Sequence, residues 1–272
     1  GEMDIALGYC EDALSLSRQI DARGEEATIL NSIGLLYYSL GEMNKALGYH
    51  KEALPLIRQM DDRNFEATIL NNMGLVHCSL GEMDKALNYY KRSLLLHRQM
   101  GDQTGSAATL HNIGGVYSDL GESVKALGYV KDALLLFRQV GDPDGEAAAL
   151  HSIAGVYNNL GEKKKALDYY ENALRLRRQV ANRRAEAVTL NNIGRVYNEM
   201  GDKNTALDYY EQSLSLACEV GNRWGESKTR FNIGTVLIDL DRLVEAEEHL
   251  KIAVQIDEAV GHPNMARDRQ AL

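Results

Sequence analysis

The feature that most constrains the fold of this chain is an internal repeat of 40 residues. Its turn glycines mark the period without a single insertion or deletion: Gly41, Gly81, Gly121, Gly161 and Gly201. A fixed period of about 20–50 residues is typical of stacked supersecondary units, which bury a continuous core by packing on their neighbours. The sequence therefore predicts a repeat protein.

Each repeat predicts two helices joined by a short turn. In the first full repeat, apolar and small side chains follow three- and four-residue steps, as they do on one face of a helix: Ala27, Leu30, Ile33, Gly34 and Tyr37. After Gly41, which is suited to end this helix A, a second stripe predicts helix B: Ala46, Tyr49, His50, Ala53, Leu54 and Ile57. The repeat is thus predicted to be a helical hairpin.

Small residues recur at one place in each predicted helix. Helix A carries Gly34, Gly74, Gly114, Ala154, Gly194 and Gly234, and helix B carries Ala46, Ala86, Ala126, Ala166, Ala206 and Ala246. A larger side chain at either place would push the two helices apart and leave a cavity beside it. These columns predict a close approach of the two helices in every hairpin.

The residues of this pattern resemble the tetratricopeptide repeat family, in which W-x2-L-G-x2-Y is followed by A-x3-F and A. The matching residues of the first repeat are Leu30, Ile33, Gly34, Tyr37, Ala46, His50 and Ala53. The period is 40 rather than 34 residues, and arginines replace the closing proline: Arg58, Arg98, Arg138 and Arg178. This long form is similar to the arrays of kinesin light chains, Pins-type adaptors, bacterial peptide-pheromone regulators and signalling ATPases.

The resemblance implies an all-α fold, a right-handed α-solenoid of antiparallel helix hairpins that forms one array over residues 1–272. Six hairpins are predicted at 24–60, 64–100, 104–140, 144–180, 184–220 and 224–260. An orphan helix B over 1–23 precedes them, and 261–272 would start a further helix. Because the chain begins in the middle of a repeat, we expect it to be a piece of a longer protein. Its ends would be covered by further sequence or by end-to-end self-association through Ile5 and Tyr9.

Asparagines recur on a stripe of helix A next to the predicted core stripe: Asn72, Asn112, Asn192 and Asn232. In tetratricopeptide arrays this stripe lines the concave groove. A side-chain amide offers both donors and an acceptor, so a row of amides suits the backbone of an extended peptide whatever its side chains are. The open alternative is that each asparagine braces a neighbouring helix through local hydrogen bonds.

Charged side chains and histidines accompany the asparagines and would set specificity. Arg195 and Lys228 are predicted to place positive charge at the C-terminal end of the groove, and internal salt bridges with Glu199 and Asp239 are the alternative. His111 and His151 stand where the family's chaperone-binding members carry lysine, which disfavours that class of partner.

Composition narrows the function further. A formal net charge of −9 argues against a general grip on nucleic acid, which requires Lys and Arg at phosphates. No apolar run approaches the roughly 18 residues of a membrane span, and the sequence predicts a cytoplasmic protein that does not bind membranes. Neither a phosphate-binding loop nor a catalytic or metal-binding motif is present, so we expect no enzyme activity, cofactor or metal.

These features predict a protein–protein interaction scaffold that binds an extended or helical peptide segment of a protein partner in its concave groove. The alternative is a sensor or regulatory domain of a larger signalling protein, such as an ATPase, a protease or a transcription regulator. In that case, ligand binding or self-association would act on an attached effector.

Overall fold

The computed structural model describes residues 2–260, which form thirteen α-helices. Their bounds are α1 Glu2–Gln19, α2 Arg23–Ser39, α3 Met43–Gln59, α4 Arg63–Ser79, α5 Met83–Met100, α6 Gln103–Asp119, α7 Ser123–Val140, α8 Pro143–Asn159, α9 Lys163–Gln179, α10 Arg183–Glu199, α11 Lys203–Glu219, α12 Arg223–Asp239 and α13 Leu243–Val260. The predicted all-α repeat architecture is confirmed. The predicted helix over 261–272 lies outside the described residues.

The helices form two compact units, one ending at Val140 and the other beginning at Gly141. The first unit contains α1 and the hairpins α2–α3, α4–α5 and α6–α7, and the second contains the hairpins α8–α9, α10–α11 and α12–α13. Helices A of successive hairpins also contact each other, as α2 does α4, α4 does α6 and α10 does α12. Side chains on helix A are therefore placed to bridge repeats within each unit.

A residue with positive φ follows nearly every helix, at a spacing of 20 residues. The turns inside the hairpins use Gly41, Gly81, Gly121, Gly161, Gly201 and Asp241, and the turns between hairpins use Asp21, Asp61, Gly101, Gly141, Ala181 and Gly221. Glycine adopts this left-handed conformation without a steric cost, whereas a Cβ makes it unfavourable. The helix-ending role predicted for Gly41 is confirmed by its φ of 79°.

Polar side chains cap the helices that follow the turns between hairpins. Asp62, Asp102 and Asn182 each accept a hydrogen bond from the backbone N–H three residues later, at 2.9–3.1 Å. Such a cap satisfies a donor that the first turn of a helix would otherwise leave without a partner. Turn and cap together fix where these helices A begin.

The two helices of a hairpin meet where a glycine of helix A lies on a side chain of helix B. A Cβ built on Gly34 would lie 2.7 Å from the His50 ring, and one on Gly74 would lie 2.7 Å from the Tyr90 ring. A contact this short would force the helices apart. The close approach predicted from the small-residue columns is confirmed at these hairpins.

His50 differs from the side chains that occupy its position in other hairpins. All of these side chains are buried, but the others are larger or apolar: Tyr90, Tyr170 and Leu250. Within residues 2–260, neither ring nitrogen of His50 has a hydrogen-bond partner. Burial lowers the pKa of His50 from 6.5 to about 4, because a protonated ring would be charged in an apolar core.

The α1 helix presents large apolar side chains to solvent. Ile5 is 61% exposed and Tyr9 is 74% exposed. Self-association through this helix stays a prediction. Among the helices of residues 2–260, none combines the length and apolar character that crossing a bilayer requires.

Replacing Ala181 by glycine is expected to stabilise the protein. Ala181 has a φ of 55°, while Gly221 at the equivalent turn has 63°. Relief of the left-handed strain should raise the free energy of unfolding by about 1 kcal/mol, measured by urea denaturation. Asp61→Gly is the matched control, and a smaller gain is expected there because aspartate tolerates this conformation better. Equal gains at both sites would show that strain at Ala181 is not the cause.

Stability should depend on pH through His50. Since the pKa is about 4 in the folded protein and 6.5 in the unfolded chain, the unfolded chain binds more protons between these values. The free energy of unfolding should therefore fall as pH drops from about 6.5 to about 4, by up to about 3 kcal/mol. His50→Leu, which copies Leu250 of α13, should remove this part of the pH dependence. Urea denaturation at several pH values tests it, and an unchanged slope in the variant would contradict it.

Candidate functional site

The four predicted groove asparagines lie partly buried on helices A, and each contacts a side chain of the preceding hairpin. In the first unit, Asn72 Nδ2 donates to Asn31 Oδ1 at 3.0 Å, and Asn112 Nδ2 donates to Asn71 Oδ1 at 3.1 Å. In the second unit, the Asn192 amide meets His151 Nε2 at 2.9 Å, and Asn232 Nδ2 donates to Asn191 Oδ1 at 3.2 Å. Every contact spans 41 residues, so each asparagine joins two successive helices A.

The partner residues extend these contacts into the core. Asn191 is 5% exposed, and its Nδ2 donates to Thr229 Oγ1 at 2.9 Å. Thr229 in turn lies 3.3 Å from Ser213 Oγ, which donates to the backbone oxygen of Ala187 at 2.8 Å. A similar chain of contacts occurs 120 residues earlier, through Asn71, Thr109, Ser93 and Ala67. Buried polar groups of this kind are expected to be hydrogen-bonded.

His151 lies between the Arg177 guanidinium and the Asn192 amide. Nη1 of Arg177 lies 3.2 Å from His151 Nδ1, and Nδ2 of Asn192 lies 2.9 Å from His151 Nε2. Asn192 therefore meets its partner through its NH2 group, as the other three asparagines do.

Arg177 is itself unusual, because it is a buried guanidinium. It is 7% exposed and donates from Nη1 to the backbone oxygen of Ala185 at 2.7 Å and to the hydroxyl of Thr189. Burial lowers the pKa of Arg177 from 12.5 to about 10, so the side chain still carries its charge at neutral pH. This cation lies against the ring of His151.

The charged residues predicted to set specificity are only partly paired with each other. Glu199 forms an ion pair with Lys163 of α9, and Asp239 forms one with Lys203 of α11 at 2.5 Å. Arg195 is exposed, and its Nε lies 4.0 Å from Glu199. Lys228 lies over the ring of Trp224 at 5.0 Å, a geometry that stabilises a cation on an aromatic face.

The lysines at the start of α9 and α11 were not predicted as part of this surface. Nζ of Lys163 also donates to Asn158 Oδ1 at 2.8 Å, and Nζ of Lys203 donates to Asn198 Oδ1 at 2.6 Å. Each lysine thus links the two helices of its own hairpin to the next helix A. The sequence signal for these contacts is a lysine at the same place in two successive repeats. Each lysine is followed by a carboxylate 36 residues later.

The remaining predicted site residue, His111, lies partly buried on α6, directly before Asn112. Within residues 2–260, no group of three or more His, Cys, Asp and Glu side chains is arranged to hold a metal ion.

The sequence pattern of the tetratricopeptide repeat family matches residues 1–59, 65–139 and 145–219. The chain belongs to the tetratricopeptide repeat family. No curated protein sequence matches it. The family fold is generally a non-catalytic scaffold for protein interactions.

Solved structures of tetratricopeptide proteins share the fold at low sequence identity. A Rap protein complexed with Competence and Sporulation Factor is 17% identical with a TM-score of 0.69, over 98% of this chain and 84% of that one. A STAND signal transduction ATPase with a tetratricopeptide repeat sensor, from Pyrococcus horikoshii, is 16% identical with a TM-score of 0.68, over 100% of this chain and 46% of that one. A kinesin light chain-like repeat protein from Podosopora anserina is 12% identical with a TM-score of 0.59, over 74% and 98%.

Two adjacent asparagines of α10 should differ in their importance for stability. Asn191→Ala leaves Thr229 and Asn232 without their buried partner, and should lower the free energy of unfolding by about 2–3 kcal/mol. Asn192→Ala removes one partly buried contact and should cost about 1 kcal/mol. Urea denaturation of both variants tests this. A larger loss for Asn192→Ala would show that the outer asparagines are the main braces.

Proposed function

We propose that the chain is a protein-interaction module that holds a peptide segment of a protein partner along the helices A of a unit. The observation that carries this proposal is the row of partly buried amides Asn72, Asn112, Asn192 and Asn232. Each uses one side of its amide on the preceding hairpin. Within residues 2–260, the other side of each amide has no side-chain partner, and it is left to a ligand.

Spacing favours an extended segment. Packed helices lie about 8–10 Å apart, and three residues of an extended chain span about 10 Å. Amides on successive helices A within one unit, such as Asn72 and Asn112, would then meet every third peptide group. These groups face one side of an extended chain that has about three residues per turn, as in the polyproline II conformation. Side chains of the peptide between these contacts would face the residues that differ from repeat to repeat.

The amides offer the same chemistry in both units. Asn72, Asn112 and Asn232 donate through Nδ2 to their partners and so present an oxygen acceptor, which suits a peptide N–H. Asn192 also faces its partner His151 through Nδ2. Exposed Arg195 lies one turn further along α10 and adds a donor for an acidic side chain or a peptide carbonyl.

A second candidate function is a sensor or regulatory domain of a larger signalling protein. The observation that favours it is the likeness of fold to a STAND ATPase with a tetratricopeptide repeat sensor and to a Rap protein complexed with Competence and Sporulation Factor. In this function the same groove would bind a signal, and binding would act on an attached effector. Both candidate functions use the amide row. They differ in whether binding only holds the partner or also changes the activity of an attached effector.

A binding selection from random 12-residue peptides tests the groove. Selected peptides would be measured by fluorescence anisotropy against the wild type and the Asn72→Ala/Asn112→Ala double variant, whose two amides lie in the same unit. Loss of two amide contacts should weaken binding by about tenfold or more. The far-ultraviolet circular dichroism should stay unchanged, since each amide makes one partly buried contact.

Ile57→Val is the matched control, because Ile57 is a buried core residue of α3 that is 1% exposed. Its loss of about 1 kcal/mol is similar to that of one outer asparagine, but it should leave peptide affinity unchanged. If both variants weaken binding in proportion to their loss of stability, the asparagines are braces and the groove proposal is wrong.

A further inference from the structure

A cavity of about 330 Å³ lies over the start of α6, between α5 and α7. Its lining includes Arg98, Gln103, Ser106, Leu110, Asp132 and Leu135. None of these residues belongs to the amide row, so the proposed groove leaves this cavity unexplained.

Equivalent positions in other repeats are filled by an internal ion pair. Nε of the arginine near the end of helix B lies 2.7 Å from a glutamate eight residues later, in the pairs Arg18–Glu26, Arg58–Glu66 and Arg178–Glu186. The glutamate side chains are only 17%, 18% and 4% exposed. This place in the fold therefore takes a largely buried carboxylate and gives it a guanidinium partner.

The third repeat keeps the arginine but lacks the carboxylate. Ser106 stands where the other repeats have glutamate, and its Oγ donates to the backbone oxygen of Asp102 at 2.7 Å. Within residues 2–260, Arg98 makes no ion pair. Gln103 also replaces an arginine of equivalent repeats, such as Arg183, which binds Glu186 at 3.0 Å. The Arg98 guanidinium thus lines the cavity without the internal carboxylate that its equivalents bind.

Two carboxylates, those of Asp102 and Asp132, also line the cavity, and their negative charge would repel a ligand carboxylate. Asp102 is engaged, because its Oδ1 accepts the Gly105 N–H at 2.9 Å and its Oδ2 lies 2.7 Å from His97 Nδ1. Asp132 corresponds to Glu52 of the first repeat, which lies 3.2 Å from Arg18 while Glu26 binds the same guanidinium. That site shows that one arginine here accommodates two carboxylates.

Apolar side chains also line the cavity. Leu135 is 57% exposed, and Leu110 and Leu136 line the cavity beside it. A ligand that combines a carboxylate with an apolar group would bury more of this surface than a free acid would.

We propose that this cavity binds an aspartate or glutamate side chain of a protein partner, with a neighbouring apolar side chain of that partner on Leu135. The ligand carboxylate takes the place that Glu66 occupies beside Arg58. This surface lies apart from the amide row, so its occupant and that of the proposed groove are independent.

The experiment uses the full chain and peptide probes of defined chemistry. The Nε–H signal of Arg98 in 15N NMR, assigned by its loss in Arg98→Lys, is followed while acetyl-Leu-Glu-Leu-amide is added. The matched peptide with glutamine in place of glutamate, and sodium glutarate, are the two comparison ligands. We expect the glutamate peptide to shift the signal at concentrations at least about tenfold lower than either comparison ligand requires.

Two substitutions separate this site from general surface binding. Ser106→Glu supplies the internal carboxylate and should weaken peptide binding by about tenfold or more while the protein stays folded. Glu66→Ser opens the equivalent place beside Arg58 and should create a second site, detected by a shift of the Arg58 signal. Asn72→Ala/Asn112→Ala should leave the Arg98 response unchanged.

Equal binding of the glutamate and glutamine peptides would overturn the proposal, as would unchanged binding in Ser106→Glu. Glutarate binding as tightly as the glutamate peptide would show that the site takes a free acid, and the partner side chain would then be the wrong ligand.

Discussion

The left-handed residues that recur every 20 positions are the constraint on which the rest of the structure depends. They end the helices at matching places, so every helix is 17 or 18 residues long and equivalent side chains point in equivalent directions. One extra residue in a helix would rotate everything after it by about 100°. Gly34 would then no longer lie on His50, and Asn72 would no longer face Asn31. The absence of insertions from the sequence follows from this dependence.

A constant helix length alone would give identical repeats. The chemistry of the protein comes from positions at which one repeat carries a different residue from the others. Histidine at 151 in place of asparagine gives Asn192 an imidazole partner instead of an amide, and the buried Arg177 lies against that ring. Serine at 106 in place of glutamate leaves Arg98 at an open cavity. In both places the surrounding repeats define what the position normally does, so the exception can be interpreted against an internal reference.

The hairpins, the turn glycines and the small-residue contacts were predictable because each depends on residues close in sequence or on spacing along one helix. Contacts between repeats were not. The asparagine stripe was visible, but the partner of Asn72 is Asn31, 41 residues earlier, and that pairing depends on the angle and offset at which two helices A pack. Lys163 could be placed at the start of a helix B, whereas its contact with Glu199 required the fold. Likewise, the sequence shows that serine replaces glutamate at position 106. Only the ion pair between Arg58 and Glu66 shows that this change removes the partner of Arg98.

Bracing and binding are not exclusive roles for the asparagine row. An amide has two N–H groups and an oxygen with two lone pairs, and the contact to the preceding helix uses one of these. That contact holds the side chain in one orientation before a ligand arrives, so the ordering cost of about 0.5–1.5 kcal/mol for a side chain is met during folding rather than during binding. A free amide would be a weaker site, because binding would have to order it. The hydrogen bond from Asn112 to Asn71 therefore does not argue against the groove; it is what makes a row of small polar side chains rigid enough to recognise a peptide backbone.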